Sequence, residues 1–201
     1  MFEKAFEGKP PVVAVSQDVR PSTKAADTRQ RIDMLTKSLD DYEQQYYRAL
    51  RMNMADTAEK SYDASRAALD EIKKLKEEGN PYAREVFDAR KQQDDALNTI
   101  EDALTQVNSA EYLGGENKQG TRTTKDLLLA SAERARAQYI AATLQEAATH
   151  RRAAGKEALT QDEALKAASE MNDVLTEWSS RVQAAPRREA LTEVVTPAQM
   201  R

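Results

Sequence analysis

The sequence contains no cysteine and a single histidine, His150. The first absence excludes disulfides, thiolate metal sites and cysteine nucleophiles, and it leaves the redox compartment undetermined. The second excludes sites that need two histidines, such as H-E-x-x-H zinc sites and the paired Glu-x-x-His motifs of di-iron bundles. His150 lies near the end of a predicted helix, where the helix dipole favours a cation without any catalytic role. We therefore expect no catalytic residue, no metal site and no cofactor.

Aromatic residues make up only 5% of the 201 residues, and glycine and proline number six each. These shortages argue against a thick aromatic core and against a fold with many turns. Charged residues make up 32%, and alanine, glutamate, lysine, arginine and leucine dominate, which is typical of long helices. The longest strongly apolar run, 127–130, is far shorter than the roughly 20 residues of a membrane span. The acidic N-terminus does not resemble a signal peptide, so we expect a soluble protein, either cytoplasmic or within a virion or other large assembly.

Apolar residues recur at spacings of three and four in four segments, which predicts four main helices with narrow, coiled-coil-like seams. The predicted helices span 23–78, 81–112, 124–154 and 160–185. Their seams are Ile32, Leu35, Leu39, Tyr42, Tyr46 and Ala49 in the first; Val86, Gln93, Leu97, Ile100, Leu104 and Val107 in the second, with Ala89 or Arg90 filling the gap; Leu128, Ala132, Ala135, Tyr139 and Ala142 in the third; and Ala164, Ala168, Met171, Leu175, Trp178 and Val182 in the fourth.

Short sequence signals predict the boundaries of these helices. Gly79 suits the left-handed residue after a helix, Asn80 an N-cap and Pro81 the first helical position. Thr160 with Glu163 forms a capping box, and Thr123 with Asp126 resembles one. The apolar stripe of the first helix reaches Asn53 and then restarts in a shifted frame from Tyr62. This phase slip indicates a kink, a stutter or a change of packing partner, or a helix that simply drifts, which is the reading we favour.

These boundaries predict an extended arm over 1–22, a first helical hairpin over 23–113, a glycine-rich pivot loop over 114–122, a second hairpin over 123–185 and an extended tail over 186–201. The pivot resembles a phosphate-binding loop, because Gly115 and Gly120 have the right separation. However, Thr121 stands where the essential lysine belongs, and no strand precedes the loop. We therefore interpret 114–122 as a helix connection, and if the molecule bends or divides into two parts, we expect it to do so there.

Extended arms and tyrosines are the candidate partner contacts. Each arm has a β-branched run near proline, which could add a strand to a partner's sheet or could be disordered. Tyr47 lies off its seam, where an exposed tyrosine suits an interface. The interface candidates are Val12, Val13 and Val15; Tyr42, Tyr46 and Tyr47; Trp178; and Val194 and Val195.

The third predicted helix is the only basic region, since residues 116–155 hold seven basic and four acidic residues. A basic stripe is the expected footprint of phosphate binding. The basic-face candidates are Arg122, Lys125, Arg134, Arg136, Arg151 and Arg152. The chain as a whole is acidic, with a net charge of −4, and these arginines could instead pair with neighbouring acidic helices.

The sequence thus predicts an all-α, elongated helical bundle of two hairpins with extended N- and C-terminal arms. The leading hypothesis is a non-catalytic structural or assembly subunit, a homo-oligomer or part of a multi-subunit complex. By compositional analogy alone it is of the virion, ejection or scaffold type. The alternative is a peripheral scaffold that binds a membrane surface or nucleic acid through the basic residues.

Overall fold

A computed structural model describes residues 23–113 and 118–184 of the chain. These residues form five helices and no strand: α1 (Thr23–Arg51), α2 (Ala55–Glu77), α3 (Pro81–Leu113), α4 (Lys118–Ala153) and α5 (Gln161–Ala184). The all-α prediction is confirmed. The predicted arm 1–22 and tail 186–201, with residues 114–117, lie outside the described residues.

The first predicted helix is in fact two helices, so the prediction of four main helices is wrong. The break lies at 52–54, inside the predicted phase slip, where Asn53 has a φ of 54°. The Met54 amide donates to the Ala49 carbonyl at 2.8 Å, the hydrogen bond of a Schellman helix end. Asparagine takes this left-handed position more readily than most side chains because its short polar group bonds locally. The chain therefore reverses here without glycine or proline.

The turn between α2 and α3 follows the predicted signals residue by residue. Gly79 has a φ of 87°, and the amides of Gly79 and Asn80 donate to the carbonyls of Lys76 and Leu75. The Asn80 side chain accepts a hydrogen bond from the Ala83 amide at 2.9 Å, and α3 begins at Pro81. These bonds satisfy backbone groups that both helix ends would otherwise leave exposed.

We expect Asn80→Ala to lower the free energy of unfolding by about 1 kcal/mol, because it removes the side-chain acceptor that caps α3. Urea denaturation followed by circular dichroism measures the change. The matched control is Asn172→Ala at an exposed position within α5, which should not lower the stability. Equal losses in both variants would contradict the capping role.

The predicted start of the third helix is wrong, whereas that of the fourth is confirmed. Helix α4 begins at Lys118, so 118–122 are helical and Thr123 is not an N-cap. Residues 118–122, which were predicted to be part of the loop, therefore belong to α4. At α5 the Thr160 amide donates to Glu163 Oε2 at 2.8 Å, and the Glu163 amide donates to Thr160 Oγ1 at 3.2 Å, which completes the predicted capping box.

Helices that follow each other in the chain pack side by side. Arg31 pairs with Glu71, and Tyr46 contacts Tyr62, so α1 and α2 run antiparallel. The most extensive contact joins α3 and α4, the two helices on either side of residues 114–117, and α5 packs against both. The helices thus meet across the predicted pivot.

Two apolar clusters hold these helices together. The larger lies between α3, α4 and α5 and the smaller between α1, α2 and the start of α3. The larger cluster consists of Ala96, Ile100, Ala103, Leu104, Ala132, Ala135, Tyr139, Leu175 and Trp178, and the smaller of Ile32, Ile72, Leu75, Ala83 and Val86. Most of these are predicted seam residues. Between the two clusters α3 carries buried polar residues.

Candidate functional site

A polar cleft lies between α1 and α4, with α3 at its base. Its volume is about 270 Å³. Both signs of charge line it, with carboxylates from α1 and α4, a lysine, an arginine and the one histidine. The lining residues are Asp33, Thr36, Lys37, Asp40, Arg90, Thr143, Glu146, Ala147 and His150.

Arg90 of α3 forms the base of the cleft, and its side chain is only 2% exposed. Its Nε atom donates to Glu146 Oε1 of α4 at 2.7 Å, and its Nη2 atom lies 2.8 Å from Asp40 Oδ1 of α1. Its Nη1 atom lies 3.9 Å from Glu43 Oε2, also of α1. Arginine remains charged in proteins, so these contacts tie three helices together by one buried positive charge.

Glu146 contacts residues of both α3 and α4. Besides Arg90, it accepts a hydrogen bond from Gln93 Nε2 at 2.7 Å. Burial alone would raise its pKa, but the close contact with His150 and the charge of Arg90 outweigh burial and hold the pKa below its usual value. Glu146 is therefore ionised at neutral pH, and it anchors α4 to α3.

His150 joins the network at its solvent side. Its Nδ1 atom lies 2.5 Å from the Tyr82 hydroxyl and 3.3 Å from Asp33 Oδ1, and its Nε2 atom lies 3.5 Å from Glu146. Burial acts to lower the pKa of His150, but Glu146 and Asp33 outweigh it and raise the pKa above the usual value. The nearby carboxylates therefore favour the protonated form of His150, as the dipole at the end of the helix was expected to do.

The chemistry of this cluster is that of a structural ion network. The Tyr82 hydroxyl donates to Asp33, and burial together with that bond raises the pKa of Tyr82, so its hydroxyl stays protonated and is a poor nucleophile. Within 23–113 and 118–184, no group of three His, Asp or Glu side chains is arranged to hold a metal ion. The network links α1, α3 and α4.

Sequence reasoning missed this network, although the α3 seam carried a signal of it. Gln93 and Arg90 occupy apolar-type positions of that seam, and both are buried. Polar residues at such positions need buried partners. Periodicity does not say which residues supply them, and Glu146 lies 56 residues after Arg90.

The three candidate interface tyrosines of α1 lie together but are half-buried. Tyr46 stacks edge-on with Tyr47, with ring centroids 5.1 Å apart, and it contacts Tyr62 of α2 at 5.6 Å. Arg66 lies over the Tyr62 ring at 5.1 Å. The expectation that Tyr47 is exposed is wrong, because its side chain is half-buried. Burial and the nearby charge of Glu43 raise the pKa of its hydroxyl.

Trp178, the remaining interface candidate within the described residues, is 8% exposed and packs in the larger apolar cluster. Its position on the α5 seam is confirmed, but its side chain meets α3 and α4 of its own chain and presents little surface to a partner. The arm candidates Val12, Val13, Val15, Val194 and Val195 lie outside the described residues.

The basic candidates on α4 do not form one continuous face. Arg134 and Arg136 differ by about 200° around the helix axis. Arg136 donates to Thr176 of α5 at 2.7 Å, Arg151 donates to the Glu157 carbonyl at 2.7 Å, and Arg152 pairs with Glu85 of α3. Three of the arginines thus contact neighbouring parts of the same chain, which was the alternative to a phosphate-binding face.

Arg134 is exposed and Lys125 half-buried, and Arg122 lies in α4, where its side chain is outside the description. Within 23–113 and 118–184, none of the helices combines the length and apolar character that a bilayer crossing requires.

Comparisons of the chain with protein-family models, with curated proteins and with solved structures found no match.

Proposed function

We propose that this protein is a non-catalytic helical assembly subunit that associates with protein partners, including further copies of itself, through the α1–α2 end. The supporting observation is a concentration of exposed apolar side chains there. Six large apolar side chains of the described residues are exposed, and three of them, Met52, Met54 and Tyr62, lie within eleven consecutive positions. The other three are far apart in sequence, at Met34, Leu127 and Leu165.

The composition of this end suits an interface. Methionine, tyrosine and arginine are enriched in protein interfaces, and Met52, Met54, Tyr46, Tyr62 and Arg66 supply all three types. Met52 and Met54 are 59% and 45% exposed on the turn itself. Tyr46 precedes Met52 by about 9 Å along the helix axis. Tyr46 contacts Tyr62, and Arg66 lies over the Tyr62 ring, so all five residues lie toward the same end of the hairpin. We call these five residues the hairpin-end surface.

The contacts within the hairpin also support the proposal. The turn at Asn53 is fixed by backbone hydrogen bonds, and the tyrosine rings pack on each other across α1 and α2. A preordered surface loses less conformational entropy on binding than a mobile loop. The virion, ejection or scaffold type remains an expectation from composition.

The proposal is tested with Met52→Gln/Met54→Gln, which keeps side-chain length but makes both tips polar. We expect the sedimentation coefficient of the wild-type protein to rise with concentration. In the double variant the same rise should need a protein concentration at least about tenfold higher, equivalent to about 1.4 kcal/mol of association energy. Sedimentation velocity over a concentration series measures this shift.

Met34→Gln is the matched control, because Met34 is equally exposed on α1 but lies about 27 Å along the helix from Met52. It should associate like the wild type. A wild-type protein that stays monomeric over the whole series contradicts self-association. Equal weakening by Met34→Gln contradicts the assignment of the hairpin-end surface.

A further inference from the structure

The charges around Arg90 do not balance. Its guanidinium carries one positive charge, while Glu146, Asp40 and Glu43 approach it at 2.7, 2.8 and 3.9 Å. Against this guanidinium alone, three ionised carboxylates would leave two negative charges in excess, and Asp40 and Glu43 keep only 29% and 20% of their side-chain surface exposed. An uncompensated buried charge is costly, and the usual relief is a proton on one of the carboxylates.

Glu43 is the carboxyl group best placed to take that proton. Of the three, it lies farthest from the guanidinium and therefore gains least from it. Glu146 is held in its ionised form by Arg90, Gln93 and His150, and Asp40 lies directly against Arg90. A proton on Glu43 removes one excess charge and leaves both short contacts of Arg90 intact.

Other charged and titratable groups face Glu43 from α1, α2, α3 and α4, and the carboxyl groups among them outnumber the basic groups. On α3, Asp94 adds a carboxylate, and it lies 3.7 Å from Arg66 of α2. The groups that act on Glu43, or on which its charge acts, are Asp40 and Tyr47 of α1, Arg66 of α2, Arg90 and Asp94 of α3, and Tyr139 and Glu146 of α4. Among these described groups the two arginines do not offset the carboxylates of Asp40, Asp94 and Glu146, so ionisation of Glu43 adds to their excess of negative charge.

We propose that Glu43 is a proton-dependent latch, which holds α1 against α3 and α4 while it is protonated and loosens that contact when it ionises. The latch would make the position of the α1–α2 hairpin respond to pH near neutrality. This inference goes beyond the proposed assembly function and does not depend on it, because it concerns contacts within one chain.

The direction of the pH response follows from the linkage between ionisation and folding. Burial raises the pKa of Glu43 from 4.5 to about 7, with Arg90 opposing the rise and Asp40 adding to it. Because the folded-state pKa lies above the unfolded value, the stabilising contribution is complete below pH 4.5 and is lost as the pH rises through about 7. Asp94, whose pKa burial and Glu43 raise to about 6, acts in the same direction over a lower range.

Hydrogen–deuterium exchange of α1 tests the latch, with rates corrected for the intrinsic pH dependence of exchange. In the wild-type protein we expect protection factors of α1 amides to fall at least about tenfold between about pH 5.5 and about pH 8.5. In Glu43→Gln, which mimics the protonated carboxyl group, protection should stay high across this range. Asp41→Asn, at an exposed position two residues earlier, is the matched control and should follow the wild type.

Two results would overturn the latch. The first is constant wild-type protection of α1 over this range, and the second is a fall that persists unchanged in Glu43→Gln and so belongs to other groups such as Asp94 or His150. If Glu43→Gln does not fold, the latch is tested by infrared spectra of the wild-type protein labelled with ¹³C at the glutamate carboxyl carbons. A protonated glutamic acid band present at about pH 6 and lost by about pH 8.5 supports the latch, and its absence at about pH 6 rejects it.

Discussion

Arg90→Met is expected to lower the free energy of unfolding by about 3–5 kcal/mol at neutral pH, the usual loss when one partner of a buried ion pair is removed. The variant keeps much of the side-chain volume but leaves Glu146, Asp40 and Glu43 facing one another without the guanidinium. Chemical denaturation followed by circular dichroism measures the change. Arg134→Met, at an exposed position on α4, is the control and should change stability by less than about 0.5 kcal/mol.

The loss of unfolding free energy in Arg90→Met should also depend on pH. The guanidinium acts to lower the pKa of Asp40 and Glu43, so its loss lets burial raise both values further. A carboxyl group whose pKa is raised in the folded state destabilises the protein at any pH above its unfolded-state pKa. The stability lost in Arg90→Met should therefore be small near pH 4 and grow as the pH rises through neutrality. A deficit independent of pH would show that Arg90 acts through packing alone.

A combined variant separates charge from shape at the same site. Adding Asp40→Asn and Glu146→Gln to Arg90→Met removes the two carboxylates in short contact with Arg90 together with their partner, and leaves only Glu43. We expect this triple variant to recover part of the lost stability, because a buried ion network can often be replaced by neutral groups at little cost. Failure to recover any stability would show that the hydrogen-bond geometry, and not the charge balance, holds α1, α3 and α4 together.

Trp178→Ala is expected to destabilise the protein by about 3–5 kcal/mol, because it leaves a cavity between α5, α3 and α4. The loss should appear at a concentration where the protein is monomeric, and thermal unfolding monitored by circular dichroism measures it. Leu165→Ala, a truncation of a 60% exposed side chain on the same helix, should cost less than about 0.5 kcal/mol. A Trp178→Ala variant with normal monomer stability but impaired association would restore the interface role expected from the sequence.

Local sequence signals predicted some boundaries and missed others for identifiable reasons. Gly79, Asn80 and Pro81 each have a strong local preference, and the structure confirms all three roles. The turn at Asn53 has the same kind of Schellman geometry, but asparagine is a weaker signal than glycine. The shifted stripe after Asn53 was visible, and only the packing of α2 back on α1 distinguishes a reversal from a drifting helix.

The candidate site was less predictable than the fold because it depends on which helices meet. Periodicity placed Trp178 on a buried seam but did not say whether its own chain or a partner covers that seam. Arg90 and Gln93 marked a polar interruption in α3, while their partner Glu146 comes from another helix. Pairing at this distance along the chain follows from tertiary packing and leaves no periodic trace within either helix.

The packing of each helix against its neighbour in sequence has a consequence for the order of folding. Contacts between successive helices are local, and chains rich in local contacts fold quickly, so α1, α2 and α3 can associate as soon as they have been synthesised. Glu146, however, leaves the ribosome 56 residues after Arg90. Until then, we expect Arg90 to pair with Asp40 and Glu43 of α1 and to lack its contact with Glu146. The arrival of α4 closes that face, so we expect the buried ion network to form after the contacts among α1, α2 and α3 and before α5 packs.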